Sequence, residues 1–121
     1  IYRPGSMRLL ESVRSGKAIS IHGPPIYINR IHLTDVVGAL AHLMNLKSPD
    51  SLYIGVDNDP CDLREVVKWI AERIGVPAPT EDYSERRRLS SKRCSNARLR
   101  ASGYQFRYPS YREGYEALFL E

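Results

Sequence analysis

The feature that most constrains the fold is a segment in which an apolar, β-branched run passes within a few positions into helical periodicity. Ile26 and Ile28, with Ile31 at the end of the run, are typical of a strand. From there the apolar side chains recur at the spacing of one helix face, namely Leu33, Val36, Val37, Leu40, Ala41 and Met44. A strand-to-helix corner of this kind indicates an α/β fold, and α/β proteins tend to bind their ligands at such corners.

Polar side chains are concentrated at this corner. Arg30 and His32 bring a guanidinium and an imidazole to the start of the helix. Thr34 and Asp35 fall at the junction, where a short oxygen-bearing side chain can cap backbone N–H groups and a carboxylate meets the positive end of the helix dipole. We expect His32 to be a packing residue that is hydrogen-bonded near the corner rather than a catalytic group.

The remaining helices are marked by periodicity and by their end signals. They are predicted over Met7–Ser15, from Asp62 to Gly75, over Ala97–Ala101 and from Tyr111 to about Leu120. Asp62 is predicted to cap the second of these helices, and Ser110 with Glu113 forms the capping-box pattern of the last. Gly75 should end the helix that Asp62 begins.

The strand signals are shorter. Gly23-Pro24-Pro25 is a turn signal between two β-branched runs and predicts a small hairpin. The continuous apolar run Leu52–Val56 is typical of a strand that is buried on both faces of a parallel sheet. Glu81–Leu89 is charged and lacks periodicity, which predicts a loop, and Tyr104–Tyr108 alternates aromatic with polar residues, which predicts a strand or an extended segment.

Length and composition narrow the class of protein. A chain of 121 residues has room for one core of modest size, and residues 1–121 are predicted to form a single, partial domain. No apolar run has the length of a membrane span, and no signal peptide is visible. Neither a disulfide framework nor a metal site is predicted, because Cys61 and Cys94 lie far apart and the histidines lack partners at ligand spacing. A cytoplasmic protein is the expectation.

The net charge of +4 is unevenly distributed along the chain. Nine basic side chains and no acidic one lie between Arg86 and Arg112. This asymmetry points to an anionic partner, either a phosphate-bearing small molecule or nucleic acid, whereas the alternative is a solvated basic surface. Aromatic residues interleaved with this stretch would also fit a stand-alone module that binds nucleic acid or another polyanion.

Four stretches resemble, in the same order, motifs of one protein family. Ile1-Tyr2-Arg3-Pro4-Gly5 is similar to an I-Y-G-P-G segment, residues 29–36 to I-H-V-x-D-[LV], and residues 52–58 to Y-N-V/I-x-D/G. Residues 92–114 resemble K-x-x-[SN]-N-x-[KR]-[LI] followed by G-[YF]-x-[FP]-x-[YF]-P-[ST]-[YF]-x-[ED]-G, which carries the most positions. Together they resemble the NAD-dependent epimerase/dehydratase family, the extended short-chain dehydrogenases/reductases. Arg3 departs from the glycine that is usual in this family.

The resemblance implies which half of such an enzyme the chain represents. The family's catalytic Tyr-x-x-x-Lys pair is absent, since no tyrosine is followed four residues later by lysine. The glycine-rich turn that holds the dinucleotide is absent too, since no two glycines stand two residues apart. In the family both lie in the N-terminal Rossmann half. The chain is therefore expected to be the C-terminal, substrate-binding half of an α/β, Rossmann-type dehydrogenase, with helices and a few short strands, at least one of them in a parallel sheet.

The resemblance also implies a substrate class and its contacts. The full-length parent would use NAD or NADP, none is expected for this chain alone, and the substrate would be an anion such as a nucleotide-sugar. Arg30, Lys92 and Arg93 are the predicted substrate-binding cations, because arginine and lysine donors match phosphate oxygens, and Asn96 is the predicted orienting amide. Better-known sugar-nucleotide enzymes carry their arginine two residues earlier, at the position of Ile28. A homo-oligomer formed through an unpaired Leu52–Val56 edge is a further alternative.

Overall fold

The computed structural model describes residues 1–84 and 91–120. In these residues, five helices and four short strands follow one another in the order α1 (Arg8–Arg14), β1 (Ile19–Ile21), β2 (Tyr27–Ile28), α2 (Leu33–Met44), β3 (Cys61–Asp62), α3 (Leu63–Ile74), β4 (Thr80–Asp82), α4 (Ala97–Ala101) and α5 (Tyr111–Phe119). They fall into two compact units, each made of separate chain segments. The first unit comprises 1–5, 29–60 and 94–121, and the second comprises 6–28 and 61–93. The single domain over 1–121 stays a prediction.

The second unit contains both sheets of the described residues. β1 pairs with β4 in parallel, with Ile19 opposite Thr80, and β2 pairs antiparallel with β3. The predicted hairpin between β1 and β2 is therefore wrong, whereas the predicted α/β class with a strand in a parallel sheet is confirmed. The reason is long-range: the Asp62 carboxylate accepts a hydrogen bond from the Ile26 backbone N–H, which draws the chain after the turn towards β3.

Helices α1 and α3 provide the core of the second unit. Leu10 and Val13 of α1 and Val66, Val67 and Ile70 of α3 are each at most 3% exposed. The Asp62 carboxylate caps α3 by accepting from the Arg64 N–H, and Gly75 ends it in the left-handed conformation at φ 71°. Both of these end signals are confirmed.

Strand β4 corrects the predicted loop over Glu81–Leu89. Glu81 and Asp82 pair with Ser20 and Ile21 of β1. This short charged segment forms a strand because it pairs with β1. Periodicity gives no signal for that pairing, because the partner is distant in sequence. Residues 83–84 lie outside any strand, as predicted, and residues 85–89 of that prediction lie outside the described residues.

The core of the first unit combines aromatic and aliphatic side chains. Its buried side chains include Tyr2, Ile31, Leu99, Tyr111, Tyr115 and Leu118. The capping box predicted for α5 is confirmed, since the Ser110 hydroxyl accepts from the Arg112 N–H and the Glu113 carboxylate accepts from the Ser110 N–H at 2.9 Å. The predicted short helix after Asn96 is confirmed as α4.

The predicted buried strand over Leu52–Val56 is wrong. These residues form no ladder within 1–84 and 91–120, and Leu52 and Ile54 are 62% and 43% exposed. Anchoring contacts occur instead at the end of the run, where the Val56 carbonyl accepts from Asn96 and the Asp57 N–H donates to the Arg30 carbonyl.

Helix α2 has the predicted position, and several of its apolar side chains are exposed. Leu33, Val37, Leu40 and Met44 are 36%, 60%, 57% and 84% exposed, whereas the buried residues of α2 are Asp35 and Ala39. Across residues 1–84 and 91–120, no helix is both long and apolar enough to pass through a lipid bilayer.

Candidate functional site

Arg30 lies between β2 and α2, at the corner where the sequence predicts it. Its side chain is only 9% exposed, and its guanidinium carbon lies 5.8 Å from the centre of the Tyr111 ring. The Arg30 backbone carbonyl accepts from the Asp57 N–H at 2.6 Å, which brings a carboxylate to the same region. Arg30 is therefore a buried cation that is supported by an aromatic face and stands near an acid.

Asp57 is the acid beside Arg30. It is 2% exposed, and this burial raises its pKa to about 6, although the Asp59 N–H and the Arg30 charge both act to lower it. Its Oδ1 accepts from the Asp59 N–H at 2.9 Å, whereas its buried Oδ2 has no hydrogen-bond partner among the described residues. Such a carboxyl changes its charge close to neutral pH.

Tyr2 packs against the start of α2. Its backbone N–H donates to Ile31 and its carbonyl accepts from Leu33, while its ring stacks on Tyr115 at 5.0 Å between centroids. The phenol is buried, and its hydroxyl has no hydrogen-bond partner in the described part of the chain. Burial and the charge of Asp57 both raise the pKa of this phenol, which keeps it protonated.

His32, rather than Thr34 or Asp35, caps α2. Its Nδ1 accepts from the Thr34 N–H at 3.1 Å, and its ring lies 4.3 Å from the Tyr108 ring between centroids. The expectation of a buried, hydrogen-bonded packing residue is confirmed, because the side chain is 5% exposed. Sequence reasoning missed the capping role, since the usual N-cap residues are serine, threonine, aspartate and asparagine.

Asp35 is fully buried and organises the segment before α5. Its carboxylate accepts from the Tyr104 hydroxyl at 2.8 Å and from the N–H groups of Arg107 and Tyr108 at 2.7 and 2.9 Å. Asp35 lies in the first turn of α2, where the sequence predicts a carboxylate at the helix dipole, and these long-range hydrogen bonds are an additional role. A lone carboxylate in an otherwise apolar helix was the available signal, since a buried charge needs several hydrogen-bond donors.

Asn96 is 4% exposed, and both ends of its amide are engaged. Its nitrogen donates to the Val56 carbonyl at 2.9 Å and to Asn58 Oδ1 at 2.7 Å, and its oxygen accepts from Arg100 Nε at 2.9 Å. These bonds fix the loop that carries Asp57. Asn96 thus holds the buried acid of the first unit in place.

Lys92 and Arg93 belong to the second unit, whereas Arg30 and Asn96 belong to the first. Both side chains of this pair are exposed, and the Arg93 guanidinium lies 4.9 Å from the centre of the Tyr27 ring. Both side chains are therefore accessible to an anion in solution. Arg86, Arg87 and Arg88 of the predicted basic stretch lie outside the described residues.

The residues present do not fit a dinucleotide cofactor. A dinucleotide cradle needs closely spaced glycines in a turn between a parallel strand and a helix. In the described residues β1 leads to β2 and β4 leads to the undescribed segment, so neither parallel strand passes directly into a helix. Nor do the described residues hold a cluster of three histidine, cysteine or acidic side chains suited to a metal ion.

Replacing Asp57 with asparagine is expected to flatten the pH dependence of stability. Between about pH 4 and the raised pKa of about 6, the folded protein keeps a proton that the unfolded chain has lost, so this carboxyl makes stability fall as pH rises. Above pH 6, D57N should be more stable than wild type by roughly 1–3 kcal/mol, since each unit of pKa shift corresponds to about 1.4 kcal/mol.

Urea unfolding at both ends of this pH range measures the difference. Asp50→Asn is the matched control, because Asp50 is an exposed carboxyl that lies 4.0 Å from Arg98. A D57N protein with the same pH slope as wild type would contradict the prediction.

Comparisons with known proteins give matches to solved structures. A structure described as a "putative NAD-dependent epimerase/dehydratase" from Methylobacillus flagellatus is 33% identical with a TM-score of 0.76, and the match covers 98% of this chain and 43% of that one. A conserved protein of unknown function from Silicibacter pomeroyi DSS is 29% identical with a TM-score of 0.84, covering 98% and 45%. No model of a protein family matches the chain, and no curated protein does.

The chain thus spans less than half the length of these two relatives. The resemblance to the NAD-dependent epimerase/dehydratase family that the motifs predict is confirmed, and the partial coverage is consistent with a C-terminal half.

Proposed function

We propose that this chain is the substrate-binding, C-terminal portion of an NAD(P)-dependent oxidoreductase of the epimerase/dehydratase type, and that it is catalytically incomplete alone. The observation that carries the proposal is the similarity to the Methylobacillus flagellatus structure, which extends over 98% of this chain. The absence of a Tyr-x-x-x-Lys pair and of closely spaced glycines in the sequence supports assigning the chain to substrate rather than to cofactor. We place the protein in the cytoplasm.

NAD or NADP would be held by the cofactor-binding half of the parent protein. When bound there, its nicotinamide would accept or return a hydride, which is chemistry that no side chain supplies. This chain would bind the substrate and orient it. It would also exclude water from the reacting atoms.

The substrate that we propose is anionic, with a nucleotide-sugar diphosphate as the model. Lys92 and Arg93 are exposed cations whose donors suit phosphate oxygens, and the Tyr27 ring restricts Arg93 before any ligand arrives. A restrained arginine loses less conformational entropy on binding than a mobile one. Lys92 and Arg93 are therefore the proposed direct contacts.

Arg30 and Asn96 would act differently because their side chains are buried. Asn96 positions the loop of Asp57 through its three hydrogen bonds. Arg30 would contribute a fixed positive potential to the first unit, and ionisation of Asp57 near pH 6 would offset part of it. Anion binding that involves Arg30 should accordingly weaken as pH rises through that value.

Replacing Lys92 and Arg93 together with glutamine is expected to weaken anion binding by tenfold or more. Each charge-assisted hydrogen bond to a phosphate contributes about 1.5–3 kcal/mol, and 1.4 kcal/mol corresponds to a factor of ten. Titration calorimetry with uridine diphosphate glucose as the probe measures the change. Lys68→Gln is the matched control, because Lys68 is an exposed lysine on α3, with its side chain 71% exposed and 4.0 Å from Glu72.

Two results would overturn the proposal. One is the absence of saturable binding at millimolar probe, and the other is equal binding by the K92Q/R93Q and K68Q variants. Tighter binding of a single-stranded oligonucleotide than of the probe, with a steep loss of affinity in salt, would favour a nucleic-acid module instead.

A further inference from the structure

Two buried polar atoms in the first unit have no hydrogen-bond partner among the residues that the structure describes. They are Asp57 Oδ2 and the Tyr2 hydroxyl, which belong to residues that are 2% and 6% exposed. Asp57 Oδ1, in contrast, accepts from the Asp59 N–H. Because a buried polar group without a partner costs free energy, nearly all such groups in folded proteins are paired with protein or with ordered water. These two atoms therefore call for a partner.

Tyr2 and Asp57, which we call the Tyr2–Asp57 pair, are attached to the same short stretch of chain. The Tyr2 N–H donates to the Ile31 carbonyl at 3.2 Å, and the Asp57 N–H donates to the carbonyl of the preceding residue, Arg30, at 2.6 Å. After burial itself, the charge of Asp57 is the main cause that raises the pKa of the Tyr2 phenol. Because the interaction between charges falls with distance, the carboxyl and the phenol are near neighbours. One small molecule between them would satisfy both atoms.

The surroundings of the pair exclude a large ligand. The Tyr2 hydroxyl lies against the backbone of α5, since a Cβ on Gly114 would come within 1.8 Å of its oxygen. The Tyr2 ring is stacked on Tyr115, and His32 contacts it edge-on with 5.2 Å between centroids. Tyr115 and His32 are themselves buried. The pair is thus closed to bulk solvent, and its partner has to be small.

The charges around the pair favour a neutral molecule. Burial raises the pKa of both groups whereas the Arg30 guanidinium acts to lower it, so a positive charge lies close to the pair and would repel a cation. Asp57 itself, with the charges of Asp59 and Glu113 nearby, would repel an anion. Within the described ranges, no three histidine, cysteine or acidic side chains are grouped to hold a metal ion.

Water is the small neutral molecule whose donors and acceptors match the pair. Its O–H can donate to Asp57 Oδ2, and its oxygen can accept from the Tyr2 hydroxyl, which stays protonated because burial and the Asp57 charge raise its pKa. Buried waters occur about once per 27 residues and make about three hydrogen bonds each. A chain of 121 residues is therefore expected to contain several of them.

We propose that an internal water molecule bridges the Tyr2 hydroxyl and Asp57 Oδ2 beneath α5, accepting from the phenol and donating to the carboxyl. This hydration site joins Tyr2 to the loop that carries Asp57, and it gives the buried acid a hydrogen bond that favours its charged form. The inference concerns the first unit alone. It does not depend on the proposed function, since neither Lys92 nor Arg93 takes part.

A crystal structure of the full chain, grown above neutral pH so that Asp57 is charged, tests the site directly. The test variant is Tyr2→Phe, which should fold because it removes only a hydroxyl that bonds to none of the described residues. Tyr53→Phe is the matched control, because Tyr53 lies in the same unit and its hydroxyl accepts from the Asp50 N–H at 2.7 Å. Carbon-13 NMR of the Asp57 carboxyl follows its titration in all three proteins.

We expect a water oxygen about 2.5–3.0 Å from both atoms in wild type and in Y53F. In Y2F the water should be lost or held by Asp57 alone. The pKa of Asp57 should then rise by up to about one unit, the equivalent of one hydrogen bond to a charged group. The inference is overturned if no water lies within reach of both atoms, if the Tyr2 hydroxyl donates directly to Asp57, or if Y2F shifts the pKa of Asp57 no more than Y53F does.

Discussion

Replacing Asp35 with alanine should lower the free energy of unfolding by about 4 kcal/mol, because it leaves buried donors without an acceptor. The Asp35 carboxylate accepts from Tyr104, Arg107 and Tyr108, and none of its surface reaches solvent. A hydrogen bond to a charged group contributes about 1.5–3 kcal/mol, and an unsatisfied buried N–H costs about 1–3 kcal/mol. A loss of this size removes much of the stability of a small domain.

A graded series keeps this prediction measurable even if D35A does not fold. Tyr104→Phe removes one of the three hydrogen bonds and should cost about 1 kcal/mol. D35N keeps the shape of the side chain but turns an amide N–H towards a backbone N–H. Its loss of stability should therefore lie between those of D35A and Tyr104→Phe. Asp50→Ala, which removes an exposed ion pair, should cost less than about 1 kcal/mol. Equal urea midpoints for D35N and D50A would contradict the assignment.

Replacing Gly114 with alanine should destabilise the protein by about 3 kcal/mol, although helix propensity alone predicts a gain of about 1 kcal/mol. Gly114 lies buried within α5, and a Cβ there would come within 1.8 Å of the Tyr2 hydroxyl oxygen and 2.6 Å of its ring carbon Cζ. Tyr2 cannot retreat easily, because Tyr115 stacks on its ring and His32 abuts it at 5.2 Å.

A double-mutant cycle tests this account of Gly114. In the Tyr2→Phe background the hydroxyl is gone, so G114A should cost clearly less there than in wild type. Gly55→Ala is the control, since its Cβ would meet Ile31 Cδ1 at an ordinary 3.8 Å. Thermal unfolding gives the four stabilities, and a G114A protein that is more stable than wild type would refute the close approach.

The helices could be predicted because their signals are local. The stripe of α3, the Asp62 cap and the Ser110–Glu113 capping box each act within a few residues, and each has its predicted place. Strand pairing was not predictable in this way, since β1 finds its partner in β4, about sixty residues later. Loop-closing contacts of this kind leave no periodic trace in the sequence.

The site was predicted in part. Arg30 and His32 lie at the strand-to-helix corner that the sequence predicts. The roles of Tyr2 and Asp57 were not predictable, because they depend on burial by distant segments. The spacing of the apolar residues of α2 predicted the helix itself, whereas the exposure of Leu33, Leu40 and Met44 depends on which distant segments cover them.

The division of the chain has a consequence for its synthesis. The polypeptide passes between the two units at residues 5–6, 28–29, 60–61 and 93–94, so neither unit is a continuous stretch. Tyr2 is translated before its stacking partner Tyr115, which follows on the order of ten seconds later at usual elongation rates. During that interval the apolar start of the first unit lacks its final helix. Chaperone binding during translation should therefore be strongest before α5 is complete.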